Sequence, residues 1–451
     1  MNNILRLPTL LAAAFLLLKP ANAAPYGMEP RQSTRPYLNM PEVETGAFPP
    51  LLSQTGAFKD TSHLVPADSL IPYQLNYPFF SDGATKIRWA SVPSGGGNRT
   101  TRIAFSREGE WKFPNGTVFV KHFDFTVDEA HPESKRRLET RLLVRDAKGS
   151  VYGAVYKWRP DNQDADLLAN GLAEQISIRT ATGVRTQVWN YPSRQDCRTC
   201  HTDLAGGVLG STTRQLNGPF MYPSGVTDNQ LRTWNHLGLF DTNLDETTLA
   251  TLPALARKED VSRTIEDSAR SYLDANCAHC HRPGGTVGYF DARYDTPLAK
   301  QNLIDGPVLI DQGIDKARVI APHDIWRSIA YFRVSTPEPM KMPPLAHERI
   351  DEQGLAVLRS WIESLPGQPV LAPPTFTAIM SQKGDTAEVT ISQGESGVKI
   401  RYTTDGSAPA SSDPVYEHPI KVELPVVVRA RAYKSGATKS IVAQQFFQPS
   451  N

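Results

Sequence analysis

Cys197-Arg198-Thr199-Cys200-His201 and Cys277-Ala278-His279-Cys280-His281 contain every cysteine of the 451-residue chain. Both stretches read C-x-x-C-H, and no thiol is left over. Two thiols three positions apart reach neighbouring points on the edge of one flat group, and a histidine directly after the second lies beneath its centre. That is the geometry of a haem held by two thioethers with the histidine as proximal iron ligand. Three other uses of cysteine fit less well. Two disulfides would leave both histidines unexplained and need strained short loops or an unspecific cross-link. A zinc ribbon places its second pair about 15 to 20 residues after the first, far closer than Cys277 stands to Cys200. A thioredoxin-like redox pair is one C-x-x-C opening a helix after a strand. The expected cofactors are therefore two covalently bound haem c groups, one on Cys197 and Cys200 with His201 on its iron, one on Cys277 and Cys280 with His281.

Around the second motif the pattern is that of a small helical cytochrome c domain, residues 255–367. From Thr264 to Asn276 the apolar residues Ile265, Ala269, Tyr272 and Leu273 share one helical face, and Thr264 with Asp267 forms a capping pair. From Ile350 to Leu365 a stripe of Leu355, Leu358, Ile362 and Leu365 follows Asp351 and Glu352 at the positive helix end. The gap between these helices holds Met340 and Met342. Met342 stands ahead of Pro343-Pro344, which stiffens the loop, so it is the expected sixth ligand of the second iron, with Met340 in reserve. His279, inside the motif, points away from its own iron and is expected at the surface.

The first motif has no such frame. Gly183 to Asp196, GVRTQVWNYPSRQD, reads as strand and turn, so its haem is expected at the edge of a β-rich domain spanning residues 45–245. Met221, and His236 within a helix from Asp228 to Leu239, are the candidate sixth ligands here. The alternative is an iron left five-coordinate or water-bound.

That N-terminal domain shows short runs rich in Val, Tyr, Phe, Trp and Thr, such as Gly116 to Phe125, Leu138 to Arg145 and Val151 to Trp158, broken by Pro114-Asn115-Gly116 and Lys148-Gly149. A β-sandwich or half-barrel follows. After Pro373-Pro374, three alternating runs, Ala387 to Ser392, Val398 to Thr403 and Val426 to Tyr433, suit a small immunoglobulin-like β-sandwich over residues 372–451. The fold class is thus a multidomain α+β chain: β-rich domain with the first motif, small helical domain with the second, and C-terminal sandwich.

Composition narrows the function classes. Hydrophobic residues at 40% and charged residues at 21% exclude a wholly disordered chain. Lys and Arg number 48 against 47 Asp and Glu, so no bulk basic field recruits nucleic acid. Residues 1–23 read as a signal peptide: Arg6 gives the positive region, Leu7 to Leu18 a short apolar run, and Ala21-Asn22-Ala23 the cleavage pattern. Cleavage near Ala23 leaves a periplasmic or secreted protein without a lipid-anchoring cysteine, and no later run is long enough to span a bilayer.

The stretches NCAHCHRPGG (Asn276 to Gly285), LETRLLVR, FSDGATK (Phe80 to Lys86), WKFPNGTVFVKHF (Trp111 to Phe123) and VLGSTTRQLN (Val208 to Asn217) resemble a family of bacterial exported dihaem c-type cytochromes. The tail stretches YTTDGSAP (Tyr402 to Pro409), Pro414-Val415-Tyr416 and VVVRARAYK (Val426 to Lys434) resemble the C-terminal immunoglobulin-like domain of chitobiases and β-hexosaminidases, an accessory module in those enzymes. The resemblance implies electron transfer, with periplasmic redox proteins as donor and acceptor. Two other functions stay open: a peroxidase-like dihaem enzyme with an open first haem, and a redox protein docked to polysaccharide or a cell surface through its tail.

Overall fold

The computed structural model describes residues 25–31, 34–94, 101–286, 288–336 and 339–449; the expected signal peptide lies outside them. The N-terminal unit is built on a six-stranded antiparallel sheet whose strands lie in chain order: β1 Ile71–Tyr73, β2 Thr85–Ser91, β3 Val118–Thr126, β4 Lys135–Arg145, β5 Val151–Trp158 and β6 Ala165–Leu167. A hairpin of β7 Leu172–Thr180 and β8 Gly183–Tyr191 packs Ile176, Ile178 and Trp189 against Phe123, Phe125 and Val155 of the sheet. Further cores lie around Trp111, Trp234 and Phe240 and around Val118, Leu142, Tyr152 and Trp158. This explains why β3 and β5 are buried on both faces along most of their length instead of alternating cleanly between buried and exposed.

The unit begins before residue 45. The Gly27 amide donates to Thr233 Oγ1 at 3.1 Å and the Tyr26 hydroxyl to Glu246 Oε1 at 3.0 Å. Short helices follow the hairpin. One, α1 Arg194–Cys200, stands where the sequence reads strand and turn; another, α2 Gln230–His236, is shorter at both ends than Asp228 to Leu239.

Residues beyond 255 form the helical region, with α3 Ile265–Cys277, α4 Ile329–Ser335 and α5 Glu352–Ser364. The Thr264 hydroxyl accepts from the Asp267 amide at 3.0 Å, and Asp351 caps α5 through the Gly354 amide at 3.0 Å. Tyr272 and Leu273 of α3 are buried against Leu358, Trp361 and Ile362 of α5. Each such side chain contributes about 1.5–3 kcal/mol by leaving water. At Gly354 a Cβ would stand 2.2 Å from the Tyr272 ring, so the helices cross this closely only over a glycine. Among the described residues no helix is long and apolar enough to cross a membrane.

The C-terminal unit is an immunoglobulin-like sandwich. One sheet orders β9 Thr375–Met380, β10 Thr386–Ser392 and β12 Ile420–Glu423; the other orders β11 Lys399–Thr403, β13 Val426–Tyr433 and β14 Ala443–Phe447. Val389, Ile391, Val428 and Ala430 fill the space between them. The sandwich is fastened to the helical region by Arg431 to Asp315 at 2.8 Å and by Arg327 to the Ser440 carbonyl at 3.2 Å.

Candidate functional site

The first motif is presented by α1. Pro192 ends β8, and Ser193 then starts the helix with a capping box: its hydroxyl accepts from the Asp196 amide at 3.2 Å while its own amide donates to the Asp196 carboxylate at 2.8 Å. Ser193-x-x-Asp196 is a start signal of the capping-box type, a local cue that the strand-and-turn reading of this stretch does not use. The helix lies flush on β5. A Cβ on Gly153 would stand 2.7 Å from Cys197 Sγ. His201 closes the turn, its amide donating to the Cys197 carbonyl at 3.0 Å. Its Nδ1 lies 2.8 Å from the Gly207 carbonyl, which can only accept. The proton is therefore on Nδ1, and Nε2 keeps a free lone pair for a metal. Burial pushes the His201 imidazole down to about 4, so it is neutral at pH 7.

The second motif ends α3. The His281 amide donates to the Cys277 carbonyl at 2.8 Å, and the imidazole stacks on Phe290 with centroids 4.4 Å apart. Burial, reinforced by the Arg333 charge, pushes this histidine too down to about 4. Arg333 belongs to α4, and it also holds the methionine segment. Its Nε donates to the Met340 carbonyl at 3.0 Å, and its carbonyl accepts from the Met342 amide at 2.9 Å. The structure thus pins Met340 and Met342, both half-buried, to the helix whose arginine faces His281.

The first motif and part of the second border one cavity of about 550 Å³, which Cys277 and His281 do not line: Cys277 packs against the helical core and His281 on Phe290. Cys197, Cys200 and His201 line one side of it, His279 and Cys280 another, and Pro343 to Ala346 a third. Burial and the nearby Cys280 push the Cys200 thiol up to about 11. All four cysteines are free thiols. Among the described residues, no three His, Cys, Asp or Glu side chains converge to hold a bare ion.

An ion network keeps the motifs together. After the second motif, Arg282 donates to the carbonyl of Leu204, just beyond the first, at 3.1 Å, and to Glu110 at 3.0 Å. Below it, Arg214 binds Asp274 of α3 through Nε at 3.0 Å and Asp295 through Nη1 at 2.9 Å.

The floor of the cavity is cationic. Arg88, Lys121 and Arg141 are direct cross-strand partners on β2, β3 and β4, and all three line the cavity. Like charges opposite one another on adjacent strands repel, at a spacing of about 4.8 Å per strand. Arg141 is balanced by Glu139 at 2.6 Å. Arg88 Nη2 is buried with no hydrogen-bond partner among the described residues, and the Lys121 ammonium rests over the Phe123 ring at 4.9 Å. Burial, then Arg88 and Arg141, push Lys121 well below its ordinary value. The arrangement suits a large, mostly apolar ligand that brings negative charge and can be attached at Cys197 and Cys200.

The cation floor and His279 are the site residues that sequence reasoning missed. His279 is half-buried instead of exposed. It lines the cavity, its Nδ1 is buried without a partner, and burial pushes its imidazole down to about 4. Met221 and His236 are not brought to the first motif. Met221 is 71% exposed on a hairpin that pairs Pro219–Met221 with Thr227–Asn229. His236 stacks on Tyr26 with centroids 3.6 Å apart, and neither residue lines the cavity.

Comparison with known proteins adds one result. Residues 381–444 match the family model for the chitobiase/beta-hexosaminidase C-terminal domain. This segment covers most of the C-terminal sandwich and none of the cavity. No curated protein and no solved structure matches the chain.

Proposed function

We propose that the chain is an exported dihaem c-type cytochrome that passes electrons between periplasmic redox partners. The observation that carries this reading is the cavity: Cys197, Cys200 and His201 of the first motif line it together with His279 and Cys280 of the second, His201 offers a free Nε2, and Arg88 and Lys121 at the floor have no carboxylate within ion-pair distance among the described residues. A haem is a flat apolar ring bearing two carboxylates, so thiols, imidazole, apolar wall and cations each have a counterpart on it. Once bound, it supplies one-electron chemistry at iron.

The chain's own residues would then do the following. Cys197 and Cys200 would anchor one ring and Cys277 and Cys280 the other. The Gly207 carbonyl would hold the His201 proton on Nδ1 and so orient the ring toward iron. Met342, held to α4 through the Arg333 carbonyl, would complete the second site and raise its potential relative to bis-histidine ligation. Lys121 and Arg88 would neutralise carboxylates at the cavity floor. The C-terminal sandwich, fastened through Asp315, would travel with the helical region and serve as its contact with a surface.

The test is expression of the full chain, leader included, in a host with a haem-attachment system. Two haems per chain by pyridine haemochrome assay, in the periplasmic or secreted fraction, support the reading. A chain recovered without covalent haem sinks it.

A further inference from the structure

We propose that His279 is the second axial ligand of the haem iron anchored at Cys197, Cys200 and His201, so that the attachment loop of one haem ligates the iron of the other. This rests on the dihaem reading above. His279 and His201 line the same cavity. Nδ1 of His279 is buried without a partner, and no hydrogen bond engages the other ring nitrogen among the described residues. A buried ring nitrogen with no hydrogen bond costs about 1–3 kcal/mol, and a metal bond to the ring is one way to offset that cost.

The local chain geometry explains why this residue is available. In a C-x-x-C-H turn the two intervening side chains point away from the ring that the cysteines hold, so His279 is not a ligand of its own iron. The turn itself is fixed in place. Arg282 ties it to the Leu204 carbonyl at 3.1 Å and to Glu110 at 3.0 Å, and α3 behind it is held by the Arg214–Asp274 pair. A ligand on a rigid support loses little entropy on binding.

The competing ligands are placed less well. Met221 is exposed and His236 is stacked on Tyr26. His347 also has a buried Nδ1 without a partner and sits edge-on to Phe80 at 6.0 Å, but unlike His279 it does not line the cavity.

The consequence concerns electron exchange. His279 is bonded through the chain to Cys280, which would be joined to the second haem. The covalent path from the first iron to the second ring would then be two residues long, and the two haem sites would be coupled instead of independent.

The experiment uses the haem-loaded full chain and its His279→Ala, His279→Met and His347→Ala variants. Haem content is measured by pyridine haemochrome and ligation by electron paramagnetic resonance and near-infrared magnetic circular dichroism of the oxidised protein. The expected result is two haems per chain in every variant. In His279→Ala one of the two low-spin signals is replaced by a high-spin signal, which added imidazole reverts. In His279→Met the sulfur-to-iron charge-transfer absorption of a second methionine-ligated iron appears. Two unchanged low-spin signals in His279→Ala, or the same loss from His347→Ala instead, would overturn the assignment. Fewer than two haems in the parent chain would overturn the dihaem reading itself, a separate failure visible before ligation is measured.

Discussion

Replacing Arg214 by methionine tests how the two halves of the site are held together. Arg214 is 4% exposed and spends its donors on two carboxylates: Nε on Asp274 at 3.1 and 3.0 Å, Nη1 on Asp295 at 2.9 Å and on the Gly109 carbonyl at 3.1 Å. Asp274 lies in α3, whereas Gly109 and Arg214 belong to the N-terminal unit. Methionine keeps much of the volume but leaves Asp274 buried and unpaired, for which the expected loss is about 3–5 kcal/mol. The pH dependence has a definite sign. Burial already holds Asp274 above its ordinary value in the parent; with the guanidinium gone the Tyr294 amide at 2.8 Å is left to favour the carboxylate, so the folded pKa rises further. Protonation then relieves the penalty, and the deficit relative to the parent should be largest at neutral pH and shrink as pH falls toward the raised value. The assay is urea unfolding followed by tryptophan fluorescence at several pH values, with Arg214→Met/Asp274→Asn as the partner variant, which should recover part of the loss. A deficit below about 1 kcal/mol, the range of an exposed pair, or one that grows on acidification, would refute the reasoning.

Three further outcomes follow from the same geometry. Gly153→Ala puts a methyl 2.7 Å from Cys197 Sγ, so the chain should lose about 1–3 kcal/mol and Cys197 should be alkylated faster in the cofactor-free protein; unchanged labelling would contradict the close seat of α1. Lys121→Met should stabilise the cofactor-free chain at neutral pH. The parent's Lys121 has a depressed folded pKa, so its stability should rise with pH up to the ordinary lysine value, and that slope should be reduced in the variant; parallel pH profiles would count against a repelled cation. In the haem-loaded chain, Met342→Ala should abolish a methionine-to-iron charge-transfer band while both haems stay attached; if the band survives, the ligand is Met340.

Much of the architecture was legible because it is written in local pattern. The alternation in Val426 to Tyr433 and the runs at Gly116 to Phe125 and Val151 to Trp158 marked strands that the structure has at Val426–Tyr433, Val118–Thr126 and Val151–Trp158, and Thr264 with Asp267 marked the start of α3 within one residue. These features depend on neighbours a few positions away. The first helix was missed for the same reason in reverse. Its capping box at Ser193 and Asp196 is as local as that of α3, but it follows a strand at two residues' distance, and the helix has only seven residues in which to show a period.

The sequence by itself determined the chemical vocabulary of the site: two C-x-x-C-H motifs, because spacing along a covalent chain is set before folding. Only the tertiary structure decided what those motifs face. His279 reaches the cavity of the other motif because Arg282 and Arg214 fix the end of α3 against the N-terminal unit. Arg88, Lys121 and Arg141 form one floor because strand register aligns residues far apart in the chain. Met221 and His236, plausible by their distance in sequence, are carried away by a hairpin and by a ring stack on Tyr26. Ligand choice of this kind depends on which side chains share a cavity, and that is set by packing between elements, which no single stretch of sequence encodes.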